Sequence, residues 1–277
     1  MRLALLQLNV SDDPVANLAV TRDYLAQAAQ GGAEFALTPE VTNCLSASRS
    51  WQQQVLQMQE DDLTLAALQE DAKALGLWVL IGSLALQTGD AAGRFANRSF
   101  MIDPDGQIAG QYDKIHMFDV EVSPEETYRE SDGFRPGTKA SVVRTPFGTV
   151  GQSICYDVRF AYLYRALAQA GADILTVPAA FSPVTGAAHW EVLLRARAIE
   201  TGCFVVAPAQ TGVHENHRGK TRKTYGHSMV IAPWGEVLAD AGTEPGVTFV
   251  DIDVSDVSQA RSRVPALTHD REFDRPK

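Results

Sequence analysis

The chain alternates between two hydrophobic periods. Leu3 to Val10 is a short apolar run without helical spacing and predicts a strand. It stops at Ser11-Asp12-Asp13-Pro14, where Asp13 and Pro14 have the form of an N-cap and a first helical residue. Leu18, Tyr24, Leu25 and Ala28 then follow a helical stripe, which Gly31-Gly32 ends. Ala33 to Thr38 predicts a second strand, closed by Pro39. Strand, helix and strand in that order have the crossover length of a parallel pair.

The alternation continues. Helical spacing returns at Leu63–Leu75, Arg159–Gln169 and Trp190–Glu200, and apolar strands are predicted at Leu77–Leu86, Ile174–Pro178, Cys203–Pro208 and Val247–Ile252. Turn residues predict hairpins joining Ser99–Ile102 to Gln107–Tyr112, Ser141–Arg144 to Thr149–Cys155, and Ser228–Ile231 to Glu236–Ala239. No Ser/Pro/Gly-rich break interrupts the pattern. We therefore expect one α/β domain over residues 1–277, with mixed sheets in packed layers and helices outside. Residues 260–277 are charged and poor in apolar surface, and are expected to form a tail, frayed or docked on a partner.

Composition narrows the function classes. A net charge of −10 disfavours nucleic acid as a partner. No apolar run reaches the ~18 residues that would span a bilayer. Three cysteines and no leader pattern predict a reducing, cytoplasmic setting.

Several motifs fail on inspection. Gly151-Gln152-Ser153-Ile154-Cys155 has the start of a serine-hydrolase elbow, but Cys replaces the last glycine. Gly219-Lys220-Thr221 lacks the glycine of a phosphate loop, because His214 stands there. His214 and His217 have no neighbouring ligands at metal spacing and are better read as a solvated loop. No dinucleotide fingerprint is present.

One constellation survives. Cys155 falls where a predicted strand gives way to a helix, so backbone N–H groups can lower its thiol pKa and receive an oxyanion. A lone cysteine is more often a small buried hydrophobe, a reading that suits Cys203. Cys44 lies in a polar loop and stays ambiguous. No papain-like or caspase-like signature surrounds Cys155, so a carboxylate is the alternative base. Glu40 ends the second strand, where burial would raise its pKa toward a useful range. Lys114 ends a third strand and has the charge to hold a developing oxyanion. Alone, each reads as an ordinary surface or core residue. Together they share the strand-end positions at which α/β folds gather ligands.

Three segments resemble the nitrilase-like carbon–nitrogen hydrolase family: Leu37-Thr38-Pro39-Glu40, Tyr112-Asp113-Lys114-Ile115-His116-Met117-Phe118-Asp119 and Cys155-Tyr156-Asp157-Val158-Arg159-Phe160. The resemblance covers nearly the whole chain. It implies a four-layer α-β-β-α sandwich, usually paired through helices into a homodimer, with no metal or organic cofactor. It also implies that Glu40 is the general base and acid, Lys114 the stabiliser of the tetrahedral intermediate, and Cys155 the nucleophile. Glu130, in Tyr128-Arg129-Glu130-Ser131, would support the lysine, and the Tyr156 N–H would face the oxyanion. Pro178-Ala179-Ala180-Phe181, His189 to Glu200, Ala209-Gln210-Thr211-Gly212 and Tyr225-Gly226-His227-Ser228 are similar to the deaminated glutathione amidase and omega-amidase branch. Departures stand at Ala161-Tyr162, Ala187-Ala188, Thr211 and Asp270-Arg271-Glu272, which touch the pocket edge and tail more than the chemistry.

The implied reaction is hydrolysis of a small, carboxylate-bearing primary amide through a cysteine thioester. A carbamoylase, a nitrilase or a non-catalytic interaction module are the alternatives. For the substrate carboxylate, Arg159 is a clamp candidate that serves equally as a structural ion pair. Phe181, His189 and Trp190 are expected near the pocket wall, although His beside Trp also suits packing. The stretch from His214 to Lys223 has Arg218, Lys220, Arg222 and Lys223 against Glu215, a local +3, and reads either as an anion attractor or as a solvated loop.

Overall fold

Alternation along each strand builds the layers. In the computed structural model, which describes residues 1–277 except 124–125, 218–220, 275 and 277, Leu3 and Leu5 of the strand Arg2–Gln7 point one way. They meet Phe35, Leu37, Leu80, Phe204 and Val206 in a core between two sheets. Ala4 and Leu6 point the other way, into a core shared with Leu25 and Leu68 of flanking helices. A strand covered on both faces reads as a continuous apolar run, the form seen in the sequence.

The first six-stranded sheet has the order Gly246–Asp251, Arg2–Gln7, Phe35–Leu37, Trp78–Leu86, Ala96–Ile102, Ile108–Asp113. Helices Pro14–Gln30 and Leu63–Leu75 cover its outer face. The second has the order Val237–Asp240, Met229–Ile231, Phe204–Ala207, Ile174–Thr176, Gly148–Gln152, Ser141–Thr145. Helices Ala161–Gln169 and Pro183–Thr201 cover it through Leu163, Leu167, Trp190 and Leu194. The result is the expected α-β-β-α sandwich, with parallel pairs at the centre of each sheet and antiparallel pairs at the edges.

Local chemistry accounts for the element ends. Asp13 Oδ1 accepts from Val15 N and Ala16 N, with Pro14 as first residue of its helix. Gly76 ends Leu63–Leu75 in the left-handed conformation, φ 66°. The helix Pro183–Thr201 begins at Pro183 rather than at Trp190. The stretch Gly186-Ala187-Ala188 hides that first part, and Gly186 is there because a Cβ would stand 2.3 Å from Tyr225 Cγ. Helices Arg49–Val55 and Ser255–Arg263 carry weak apolar patterns and have no counterpart in the sequence reading. Much of the charged tail docks on its own chain. Arg165 pairs with Asp270 and donates to Ala266 O, Gln169 Nε2 donates to Leu267 O, and Arg261 reaches Thr201 O and Ala172 O.

Candidate active site

Glu40 leaves the strand Phe35–Leu37 on a loop gripped by a bulge in its neighbour. The strand Trp78–Leu86 shifts register between Ile81 and Leu84. The freed groups dock the loop: Gly82 N donates to Thr38 Oγ1 at 2.9 Å, Val41 N to Ser83 Oγ at 2.8 Å, and Thr42 N to Ser83 O at 2.8 Å. Val41 takes φ 50°, an unusual backbone state for a β-branched residue. Gln210 Nε2 donates to Glu40 O at 3.0 Å, and Ala180 N to Glu40 Oε2 at 2.8 Å. The carboxylate is thus held from both sheets.

Cys155 stands on the facing sheet. Its strand ends at Gln152, earlier than expected, and Cys155 opens a five-residue turn, Cys155–Arg159, with φ 49°. Such a conformation costs roughly 1–3 kcal/mol and persists only where the surroundings enforce it. Cys155 N donates to Pro178 O at 2.9 Å. Asp157, fully buried, braces the turn: Ile154 N donates to its Oδ2 at 2.9 Å and Tyr112 Oη at 2.7 Å, while His116 N donates to Oδ1 at 3.1 Å. The cysteine turn is therefore tied to the lysine segment through one carboxylate.

Lys114 follows the edge strand Ile108–Asp113 and is 2% exposed. Its Nζ donates to Glu40 Oε1 at 2.8 Å and to Glu130 Oε1 and Oε2 at 2.8 and 2.9 Å. Asn97 Nδ2 bridges the same carboxylates, at 2.9 Å to Glu40 Oε1 and 3.4 Å to Glu130 Oε1. Glu130 is fixed in turn by Phe118 N at 2.6 Å. Glu40, Lys114 and the Cys155 thiol line the same cleft, and the Glu40 charge acts on the thiol.

The protonation states follow from these contacts. Burial alone would raise Glu40, but the Lys114 ammonium and, further out, Arg222 hold its carboxyl below the usual range. Burial and the Glu40 charge push the Cys155 thiol well above its ordinary value, against a smaller opposing pull from Lys114. Burial works against the Lys114 ammonium, yet Glu130, Glu40 and Cys155 raise it above the ordinary lysine range. Two expectations therefore reverse. Glu40 is not raised, because its cation sits at hydrogen-bond distance. Cys155 is not a low-pKa thiol, because its own burial and the Glu40 charge outweigh the pull of Lys114. The resting site holds a carboxylate, an ammonium and a neutral thiol.

These groups line a cleft of about 290 Å³ with Asn97, Phe118, Tyr128, Arg129, Tyr156, Phe181 and Arg222 among its other walls. Of the expected wall residues, Phe181 lines it and three others do not. Trp190 is fully buried behind Phe181, with ring centroids 4.8 Å apart and its Nε1 donating to His227 O. His189 is exposed on the outer helix, where the Arg159 guanidinium donates to its Nδ1 at 3.4 Å. Arg159 itself lies over the rings of Phe181 and Tyr156, 5.5 and 5.8 Å away. Asn97, Asp157 and Gln210 were not singled out as site residues. Asn97 escaped because its strand starts at Ala96, ahead of the apolar core that signals it.

The other sequence candidates resolve structurally. Ser153 is buried, donating to Thr176 O and bonded to Tyr164 Oη. His214 is buried between Val10 O and Thr224 Oγ1, and His217 pairs with Asp12. Arg218 and Lys220 lie outside the described residues. The ends of that stretch form an antiparallel ribbon, Thr211–His214 with Arg222–Tyr225, rather than a solvated loop. Among the described residues no group of three His, Cys, Asp or Glu is placed to hold a metal ion, and no helix is long and apolar enough to cross a membrane.

The Carbon-nitrogen hydrolase family model matches residues 2–262. The chain belongs to that family. A deaminated glutathione amidase from Synechocystis sp. is 40% identical over 268 residues, 96% of each chain. Among solved structures, the Caenorhabditis elegans NitFhit protein superposes with TM-score 0.89 at 36% identity; the match covers 98% of this hydrolase and 65% of that longer chain. An amidase mutant from Nesterenkonia sp. AN1, with acrylamide added at its active-site cysteine, superposes with TM-score 0.76 at 26% identity, covering 96% and 98% of the two chains. This carbon–nitrogen hydrolase is thus an enzyme acting on C–N bonds other than peptide bonds, and the cysteine adduct of its structural neighbour fits thioester chemistry.

Proposed function

We propose that Glu40, Lys114 and Cys155, supported by Glu130, hydrolyse a small carboxylate-bearing amide through a thioester on Cys155. The observation that carries this reading is that the Cys155 thiol, the buried Glu40 carboxylate and the Lys114 ammonium, 2.8 Å from Glu40 Oε1, meet in one cleft. Glu40 takes the thiol proton as Sγ attacks the amide carbon. The new oxyanion is received by the Lys114 ammonium and the Tyr156 N–H. Glu40, now protonated, gives its proton to the departing nitrogen, and the C–N bond breaks. Glu40 then takes a proton from water, whose oxygen attacks the thioester. The acid leaves and the proton returns to Sγ, so the enzyme is regenerated without a cofactor.

The substrate reading rests on the relatives named deaminated glutathione amidase. Such a substrate is an amide with a carboxylate on each half, and Arg129 and Arg222 on the cleft wall supply two matching charges. Its leaving group is a dipeptide amine; a primary amide would release ammonia instead.

Two further readings go with this function. Exposed apolar side chains on the outer helices, among them Tyr162, Val192 and Ile199, favour a homodimer paired through that layer. Three free cysteines favour a reducing, cytoplasmic setting. Mass spectrometry of the enzyme mixed with an amide tests the mechanism. The acyl mass should appear on the peptide containing Cys155 and disappear, with turnover, in a folded Cys155→Ala variant. Full turnover in that variant refutes the assignment.

A further inference from the structure

One imidazole ties the two reacting segments together. Asp157, in the nucleophile turn, is fully buried. Its Oδ2 accepts from Ile154 N at 2.9 Å and from Tyr112 Oη at 2.7 Å. Its Oδ1 is held by a single residue, through His116 N at 3.1 Å and His116 Nδ1 at 2.7 Å. A carboxylate only accepts, so Nδ1 carries the hydrogen. In the neutral ring Nε2 is then an acceptor, and the Tyr162 hydroxyl serves it. Phe160 lies flat on the imidazole, with ring centroids 3.6 Å apart and planes 8° apart. The ring is thus fixed in plane, in tautomer and in both of its hydrogen bonds, and its side chain is 11% exposed. The mechanism proposed above uses none of these groups.

Their places in the chain give the contact its use. His116 stands two residues after Lys114, and Asp157 two residues after Cys155. The imidazole–carboxylate bond therefore sets the separation and orientation of the cation and the nucleophile. The turn that it braces is strained: Cys155 has φ 49°, a state that persists only where the surroundings enforce it. We infer that His116 is the positioning residue of the nucleophile turn, acting through Asp157 to hold Cys155 Sγ toward Glu40 and the Tyr156 N–H toward the oxyanion. The inference rests on the thioester mechanism above and adds to it the group that keeps its parts in register. His116 does not line the cleft. Its loss should slow the chemical step and leave substrate binding intact, because misplaced reacting atoms cost rate rather than affinity.

The test compares His116→Ala, His116→Asn and His116→Gln with wild type on glutaramate, a carboxylate-bearing primary amide, at a temperature where each enzyme is folded. An asparagine amide nitrogen falls near the place of Nδ1 and still donates to Asp157. A glutamine amide nitrogen falls near the place of Nε2 and leaves Asp157 unserved. His116→Ala and His116→Gln should lose about 10- to 100-fold in kcat, the worth of one hydrogen bond to a charged group, with KM within about threefold of wild type. His116→Asn should recover kcat to within about fivefold of wild type. A loss carried by KM, or an Asn variant no faster than the Gln variant, overturns the inference. So does a Gln variant within about threefold of wild type in kcat, which with lowered stability would make His116 a brace of the fold alone. If His116→Ala does not fold, the contrast between Asn and Gln decides. A second arm needs no turnover: the imidazole nitrogen resonances of isotopically labelled wild-type enzyme should show His116 as the Nδ1–H tautomer, and the Nε2–H tautomer overturns the inference. Absence of turnover and of thioester in wild type would instead refute the amidase reading, and the tautomer would still decide the contact.

Discussion

Lys114 is the most informative residue to remove, because it separates two carboxylates that cannot share a buried site without it. At 2.8 Å and an effective dielectric near 20, each Lys114–carboxylate contact is worth roughly 6 kcal/mol of Coulomb energy. Burying the three ions costs several kcal/mol each, so the intact cluster is near balance. Removing the cation alone is different: breaking a buried pair typically costs about 3–5 kcal/mol. Lys114→Met should therefore be destabilised by about that amount at pH 7.5. It should also lose turnover at least about 100-fold, the scale of one lost oxyanion donor. The pH dependence is the sharper test. In the variant, burial is no longer opposed by the ammonium, and the Glu40 carboxyl rises above its ordinary 4.5. A carboxyl raised in the folded state stabilises at low pH, and that stability is lost as pH climbs through the raised value. The deficit relative to wild type, measured by urea unfolding at fixed protein concentration, should be about 2 kcal/mol smaller at pH 5 than at pH 7.5. Equal deficits at the two pH values would mean that Glu40 is solvated and the argument is wrong.

Two other outcomes follow from the packing. Gly82→Ala places a Cβ 2.0 Å from Thr38 O and 2.4 Å from Pro39 O, backbone atoms that cannot yield cheaply. It should lower stability by about 3 kcal/mol and cut kcat, because the same bulge sets the Glu40 loop; a melting curve identical to wild type would contradict this. Burial, with Arg222 nearby, lowers His214 from 6.5 to about 4, so the unfolded chain takes up the proton first as pH falls. Stability should drop by about 3 kcal/mol between pH 6.5 and 4, and His214→Gln should remove that part of the slope when unfolding is followed at both pH values.

The layered fold was legible because both faces of nearly every central strand are covered. Continuous apolar runs such as Leu77–Leu86 therefore stand out, and helices such as Leu63–Leu75 carry both of their end signals. The three strand-end residues were legible as positions, but Glu130 entered only through family resemblance, since it follows a polar hairpin with no periodic signal. The protonation states were not legible, because they depend on a lysine at 2.8 Å that is far from Glu40 along the chain. Trp190 misled for the opposite reason. A helix stripe says that a side chain points inward, but not whether it meets substrate or the back of Phe181.

The neutral state of the Cys155 thiol bears on how this hydrolase survives in a cell. Peroxide attacks the thiolate, and sulfinic and sulfonic products are not recovered. An enzyme that kept a preformed thiolate would be exposed to such loss during every idle interval. Under the proposed mechanism the buried Cys155 thiol stays protonated and becomes reactive only as an electrophilic carbon approaches and Glu40 takes its proton. The same mechanism that would rely on Glu40 should therefore also slow oxidative inactivation between turnovers.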